Sequence, residues 1–327
     1  MAPPDIRWFA PNKYCTLVVP CLRARGFSIA LEGDQAAGLA IAMDAQVAAA
    51  AHTYAVRVGC PLIHYVWDLP PWRLGRGRHD WVWHAFGRYL RLPRVGRGYA
   101  ERAGYYSRLR FVAHRAREVW VPSAHTAASV QERFDVAARR VPFCFDSDRF
   151  TPPASPAPAP RTRGLLSVSR LTPQKNHAAV IRAAARFAPP LEVRIVGSGP
   201  ERDGLARLAR ALGVPCAIDS TLSEADVVTA YRSAAVVVCP SRFEGFGLTP
   251  MEAIACGAPV VVSDIPPHRE FLGDSPRYFT LDDDDGLAAA IAAAREDGRP
   301  PSRDVLGPLS IEAAADRFAA GLAPYVR

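Results

Sequence analysis

The sequence predicts an α/β protein made of two doubly wound, Rossmann-like domains facing each other across a cleft. Three observations lead there. Short continuous apolar runs alternate with Ala-rich amphipathic stretches, the pattern of parallel strands covered by helices on both faces. The 327 residues are enough for two cores, at roughly 150 residues per domain. Between the halves, "TPPASPAPAP" (151–160) can hardly be helix or central strand and reads as a stiff linker.

The C-terminal half is the easier to read. "GLLSVSR" (164–170) suits a buried parallel strand, and the turn "LTPQKNH" leads from it into the helix "AAVIRAAARFA". "LEVRIVG" is the next strand, followed by "SGPERDGLARLARALG", a turn into a helix with Pro200 near its first position. "CAIDS" is a weak strand before the helix around "EADVVTAYRSA"; "AVVVCPS" and "PVVVSD" are strong ones. In the N-terminal half the strands are "DIRWFA", "FSIAL", "AGLAIAM", "PLIHYVW" and "EVWVPS". The expected division is 1–150, linker 151–163, 164–310, and a terminal helix in 311–327 that returns to the first domain.

Composition narrows the class. Apolar residues are 49% of the chain and spread along it, as in a globular protein rather than a disordered one. No N-terminal stretch resembles a signal peptide, and the most apolar run, "AGLAIAMDAQVAAAAHTYAV", is broken by Asp44. Seven scattered cysteines without a C-x-x-C pair read as reduced thiols, which places the chain in the cytoplasm. The formal charge is +8, and the excess lies in the N-terminal half, concentrated between Trp72 and Arg117. Lys13 and Lys175 are the only lysines beside 38 arginines, which suggests places where a compact point charge is wanted.

The segment that carries chemistry is "SRFEGFGLTPMEAIACGAPVVVSD" (241–264). It sets Glu244 and Glu252 on either side of Gly245-Phe246-Gly247-Leu248. Thr249-Pro250-Met251-Glu252 fits a capping box, with Thr at the N-cap, Pro first in the helix and Glu third. That role would account for Glu252, with Gly257 and Pro259 ending the helix. It leaves Glu244 unexplained, at a strand's carboxyl end beside two glycines and a helix N-terminus suited to an anion. A carboxylate there suits hydroxyl groups, as in a ribose or a sugar. Arg170 and Lys175 follow another strand end and can neutralise a diphosphate in the same cleft. "VGSGP" (196–200) is a glycine-rich turn without the full dinucleotide fingerprint, and alone it reads as turn chemistry.

In order and spacing, "SRLTPQKN", "IVGSGPE" and "RSAAVVVCPSRFEGFGLTPMEAIACGAPVVVSDIPPHREFLGD" resemble the C-terminal domain of family 4 retaining glycosyltransferases of the GT-B fold. The resemblance covers 164 to about 295 well, and "VWVPSAHTAASV" and "RRVPFCFDSDRF" loosely. It implies that Glu244 contacts donor-sugar hydroxyls and Glu252 the nucleotide's ribose. Phe246, Gly247 and Leu248, with Gly245, would meet the sugar or phosphate through backbone amides; Arg170 and Lys175 would grip the diphosphate. Gly197 and Ser198 join the donor-binding candidates. The implied function is sugar transfer from a nucleoside-diphosphate sugar to a small-molecule or glycoside acceptor, with retention and without a metal or other cofactor. A non-catalytic nucleotide-sugar binder, or another GT-B enzyme such as an epimerase or phosphorylase, is the alternative.

The N-terminal half departs from that family. Its first loop, "APNKYCT", has no glycine where relatives often have Gly-Gly, so Asn12 and Lys13 become acceptor-side candidates. Trp67-Asp68 stands where relatives often have His-Asp, and a Trp ring there can stack on a sugar. Both are acceptor-side candidates, while His64 on the strand reads as a packed histidine. "DDDD" (282–285) opens a helix, where Asp is ordinary, and no metal site is expected there. The basic, aromatic stretch 72–117 carries no nucleic-acid motif; a solvated helical face and a peripheral contact with anionic membrane or acceptor stay open.

Overall fold

A computed structural model describes residues 4–69, 106–153, 164–220 and 222–326. Contacts group the chain into two compact units: Met1–Phe143 with Ile311–Arg327, and Cys144–Ser310. Most of the basic stretch 72–117 and of the Pro-rich segment lies outside the described residues.

The first unit is a six-stranded parallel sheet in the order β2-β1-β3-β4-β5-β6. Its strands are β1 (Ile6–Phe9), β2 (Ile29–Ala30), β3 (Leu39–Ala42), β4 (Leu62–Tyr65), β5 (Glu118–Val121) and β6 (Ala138–Arg140). The first five are the predicted runs. β6 is an edge strand that ends in two exposed arginines, so no apolar run announces it.

The terminal helix Ile311–Leu322 belongs to this unit. Phe318 lies fully buried within 6 Å of the ring centroids of Trp8 (5.8 Å), Tyr65 (5.9 Å), Trp120 (5.4 Å) and Phe143 (5.6 Å). Close approach requires glycine at 321, where a Cβ would meet the Trp120 ring at 2.6 Å. Arg25 pairs with Glu312 and Asp316 at 2.7 Å on the outer face.

The second unit is also a six-stranded parallel sheet, in the order β12-β11-β10-β7-β8-β9. It contains β7 (Leu165–Val168), β8 (Val193–Val196), β9 (Cys216–Asp219), β10 (Val236–Cys239), β11 (Val260–Ser263) and β12 (Arg277–Phe279). β10 and β11 are buried along their whole length, as strands covered on both faces must be. Residues 144–150 pack on this unit rather than on the first. The Phe145 amide donates to Leu309 O, Arg149 pairs with Glu224 at 3.0 Å, and Phe150 meets Tyr231 edge to face. The helix after β8 is Arg202–Ala211, so Pro200 stands ahead of it rather than in its first turn.

All seven cysteines are free thiols. Among the described residues no helix is long and apolar enough to cross a membrane.

Candidate functional site

Read from its β9 edge, the second sheet runs three strands out of sequence before it runs in sequence, so β7 and β10 are neighbours at the point where the order reverses. In open α/β sheets that reversal opens a crevice at the strands' carboxyl ends, and ligands bind there. The two loops at this point are tied together. The Arg242 amide donates to Gln174 O (2.8 Å), and Lys175 Nζ donates to Glu244 Oε1 (2.6 Å). The side chains of this pair are only 13% and 14% exposed. Burial pushes the Glu244 carboxyl up, but the charge and hydrogen bond of Lys175, the Ser241 hydroxyl and His268 outweigh it and hold it below the usual carboxylate range.

The glycine turn between the loops and the next helix is built for close approach. Phe246 is buried and meets Phe271 edge to face at 4.7 Å, anchoring the turn. Gly247 is the N-cap of the helix Leu248–Ala255, with φ +86°, where a side chain is strained. A Cβ there would lie 3.2 Å from His268 Cδ2. The capping box expected at Thr249–Glu252 does not form, because the left-handed Gly247 starts the helix earlier. Thr249 Oγ1 donates instead to Val168 O (3.2 Å), and no side chain caps the first turn. Orphan N–H groups at this helix start therefore suit an anion.

With its capping role gone, Glu252 is held by another residue. Tyr231 Oη, fully buried on the helix Glu224–Ser233, donates to Glu252 Oε2 at 3.0 Å. Burial dominates this carboxyl and raises it to about 7. Tyr231 was not among the sequence candidates, though it immediately precedes the stretch that carries the family resemblance.

Two histidines were also missed. Ser167 Oγ donates to Val238 O (2.9 Å), so His177 Nδ1–H must donate to Ser167 Oγ (3.0 Å), leaving Nε2 to accept from Ser169 Oγ (2.9 Å). Burial takes His177 down to about 4, so it is neutral and ties β7, β10 and the Lys175 loop together. His268 Nδ1–H donates to Ser263 O (2.9 Å), and its ring backs onto Gly247. Both lie in the quoted stretches beside Lys175 and after β11, where a lone His carries no spacing signal.

The remaining candidates are less closely joined. Arg170 is exposed just beyond the end of β7, and among the described residues no hydrogen bond or ion pair joins it to the Lys175–Glu244 pair. Gly197 and Ser198 lie against its loop. A Cβ on Gly197 would sit 1.9 Å from Ser169 O, and Ser198 O accepts from the Leu171 amide at 2.8 Å.

In the first unit, Asn12 and Lys13 follow β1 beside the end of β3, at that sheet's own order reversal. Asn12 Oδ1 accepts from the Tyr14 and Cys15 amides. Trp67 Nε1 donates to Met43 O (2.5 Å), and its ring faces Tyr65 and Phe143, each 5.1 Å away; Asp68 is half-buried beside it. His64 is fully buried and lowered to about 4 by burial. In the acidic run, Asp283 caps the helix by accepting from the Gly286 amide, and Asp282, Asp284 and Asp285 pair with Arg242, Arg182 and Arg186. Among the described residues no group of three metal-ligating side chains converges.

Residues 152–308 match the model of the glycosyl transferases group 1 family. That match lies within the second unit, Cys144–Ser310. The chain is 37% identical over 143 residues to a phosphatidyl-myo-inositol mannosyltransferase of Mycolicibacterium smegmatis, covering 41% of the chain and 36% of that protein. It is 40% identical over 111 residues to a D-inositol 3-phosphate glycosyltransferase of Mycobacterium bovis, covering 32% and 23%. The chain thus spans about a third or less of the length of these curated relatives.

In fold, it superposes on Anabaena HepE solved with UDP and glucose, with TM-score 0.73, 14% identity, and coverage of 98% of this chain and 100% of that one. Against sucrose-phosphate synthase of Thermosynechococcus elongatus the TM-score is 0.68 at 17% identity, covering 98% of each chain. The two-domain α/β fold is the GT-B fold, as the sequence predicts.

Proposed function

We propose that the chain is a retaining, metal-independent glycosyltransferase that moves a sugar from a nucleoside-diphosphate sugar to an acceptor hydroxyl. The observation that carries this reading is the Lys175–Glu244 pair, set at the β7/β10 reversal beside an uncapped helix start, inside the matched domain. The HepE and pneumococcal O-GlcNAc transferase structures, solved with UDP and a sugar, support a nucleotide-sugar donor.

As the anomeric C–O bond breaks, its electron pair moves onto the leaving diphosphate. Lys175, Arg170 and the free N–H groups from Leu248 onward stabilise that growing charge. Glu244, ionised by its surroundings, accepts hydrogen bonds from sugar hydroxyls, and Glu252 takes those of the ribose. The sugar passes through an oxocarbenium-like state. Retention follows when the acceptor oxygen attacks the face the diphosphate leaves, giving its proton to a departing phosphate oxygen. No protein nucleophile is used.

The names of the inositol-linked relatives make a polyol or inositol derivative the first acceptor to try. The test is release of nucleoside diphosphate from its sugar conjugates, with and without such an acceptor. Turnover that falls at least about 100-fold in Glu244→Gln and Lys175→Ala supports the transferase. Tight donor binding with no turnover for any acceptor supports a non-catalytic binder instead.

A further inference from the structure

Glu252 is held unevenly. Its Oε2 accepts from Tyr231 Oη at 3.0 Å, while among the described residues Oε1 has no partner, and the side chain is half-buried rather than sealed. Tyr231 has no freedom to reorient. Its ring is fully buried and packed edge to face against Phe150 at 5.9 Å. A carboxylate fixed through one oxygen presents the other in a single direction, which is what recognition of a pair of vicinal hydroxyls needs.

We propose that Tyr231 is a positioning residue that holds Glu252 through Oε2 so that Oε1 faces the ribose of the bound nucleotide, making the site selective for ribonucleotides over deoxyribonucleotides. This rests on the donor-site reading above and goes beyond it by assigning the residue that orients the ribose-binding carboxylate. A hydroxyl donates best to an ionised carboxylate, so the bonded state is the deprotonated one.

The charge state of Glu252 is accordingly part of the recognition. Burial raises its carboxyl to about 7, and the Tyr231 hydroxyl acts against that rise. The charged and titratable groups facing it are Tyr231, Arg149 and Asp146 from the segment after Phe143, Lys175 from the loop after β7, Cys239 on β10, and Cys256 at the end of its own helix. Nucleotide affinity rises with pH through about 7, because free Glu252 must lose a proton to accept the ribose hydroxyl.

The experiment measures the affinity of whichever of UDP, GDP and ADP the wild type binds, together with its 2′-deoxy and 3′-deoxy forms, by calorimetry from pH 5.5 to 8.5. The proteins are wild type, Tyr231→Phe and Glu252→Gln. The wild type is expected to prefer the ribonucleotide about tenfold over at least one deoxy form, one charge-assisted hydrogen bond's worth. Tyr231→Phe keeps the ring and the fold, weakens ribonucleotide binding at pH 7 about fivefold, lowers the ribose preference to about twofold, and moves the pH midpoint upward. Glu252→Gln removes the carboxyl's part of the pH dependence and leaves only that of the ligand's phosphate.

A Tyr231→Phe protein with wild-type ribose preference and an unmoved pH midpoint overturns the inference while leaving the donor site standing. A wild type that binds none of the three nucleotides overturns the donor-site reading and this inference with it.

Discussion

Lys175 and Glu244, 69 residues apart in sequence, meet at 2.6 Å where the loops leaving β7 and β10 converge. Neither is placed by its own element alone. Lys175 ends a helical turn, Pro173–Lys175, whose loop is pinned through His177, and Glu244 follows a strand whose loop is pinned through Arg242. The pair is costly to bury and stable only because both members are present.

That pairing predicts a pH signature. Glu244 is depressed in the folded state, so its contribution is present above the unfolded carboxylate range, near 4.3, and lost as pH falls through the folded value. Glu244→Gln should cost about 2–3 kcal/mol at pH 7 by leaving Lys175 half-buried and unpaired. Thermal melts of both proteins should converge once pH has fallen through the depressed folded value; a gap independent of pH would contradict the ionised pair.

Glu252 predicts the opposite slope in a different window. Its carboxyl is raised to about 7. The folded state therefore binds the extra proton between the unfolded value, near 4.3, and about 7. Stability from this group is full below that window and falls across it as pH rises. Glu252→Gln should flatten the fall, worth on the order of 3 kcal/mol, in melts taken from pH 4.5 to 8. An unchanged slope would show that Glu252 titrates normally.

Gly247→Ala tests the turn. The substitution places a Cβ at φ +86° and 3.2 Å from His268 Cδ2. Unfolding should cost about 1–3 kcal/mol less, and nucleotide affinity should fall, since the helix start is displaced. Wild-type stability and affinity would mean that the turn relaxes freely.

The strands were legible because buried parallel strands read as unbroken apolar runs, as "AVVVCPS" and "PVVVSD" do. β6 was not, since Arg139 and Arg140 face solvent at a sheet edge. At the site, Glu244, Lys175 and the glycine turn stood out by residue type and spacing. The helix start did not: a capping box fits the letters of Thr249–Glu252, but the left-handed Gly247 begins the helix first, and a positive φ leaves no other mark in sequence. Tyr231 and His268 were silent for a related reason. Each acts on the site from another element, through a contact that only the tertiary fold creates.

Metal removal gives a further expectation. The leaving-group charge is assigned to Lys175, Arg170 and helix N–H groups, so excess EDTA should leave nucleoside-diphosphate release unchanged within about twofold. Activity that vanishes with EDTA and returns with Mg²⁺ or Mn²⁺ would refute a metal-independent reaction.

The most direct measurement is a thermal-shift panel of UDP, GDP, ADP and their sugar conjugates against wild type and Lys175→Ala. The donor-site account predicts that at least one nucleotide raises the wild-type melting temperature by several degrees, about 2.7 kcal/mol of linkage at 100 times its Kd, and raises the variant's far less. No shift with any of them, or an equal shift in both proteins, would contradict it.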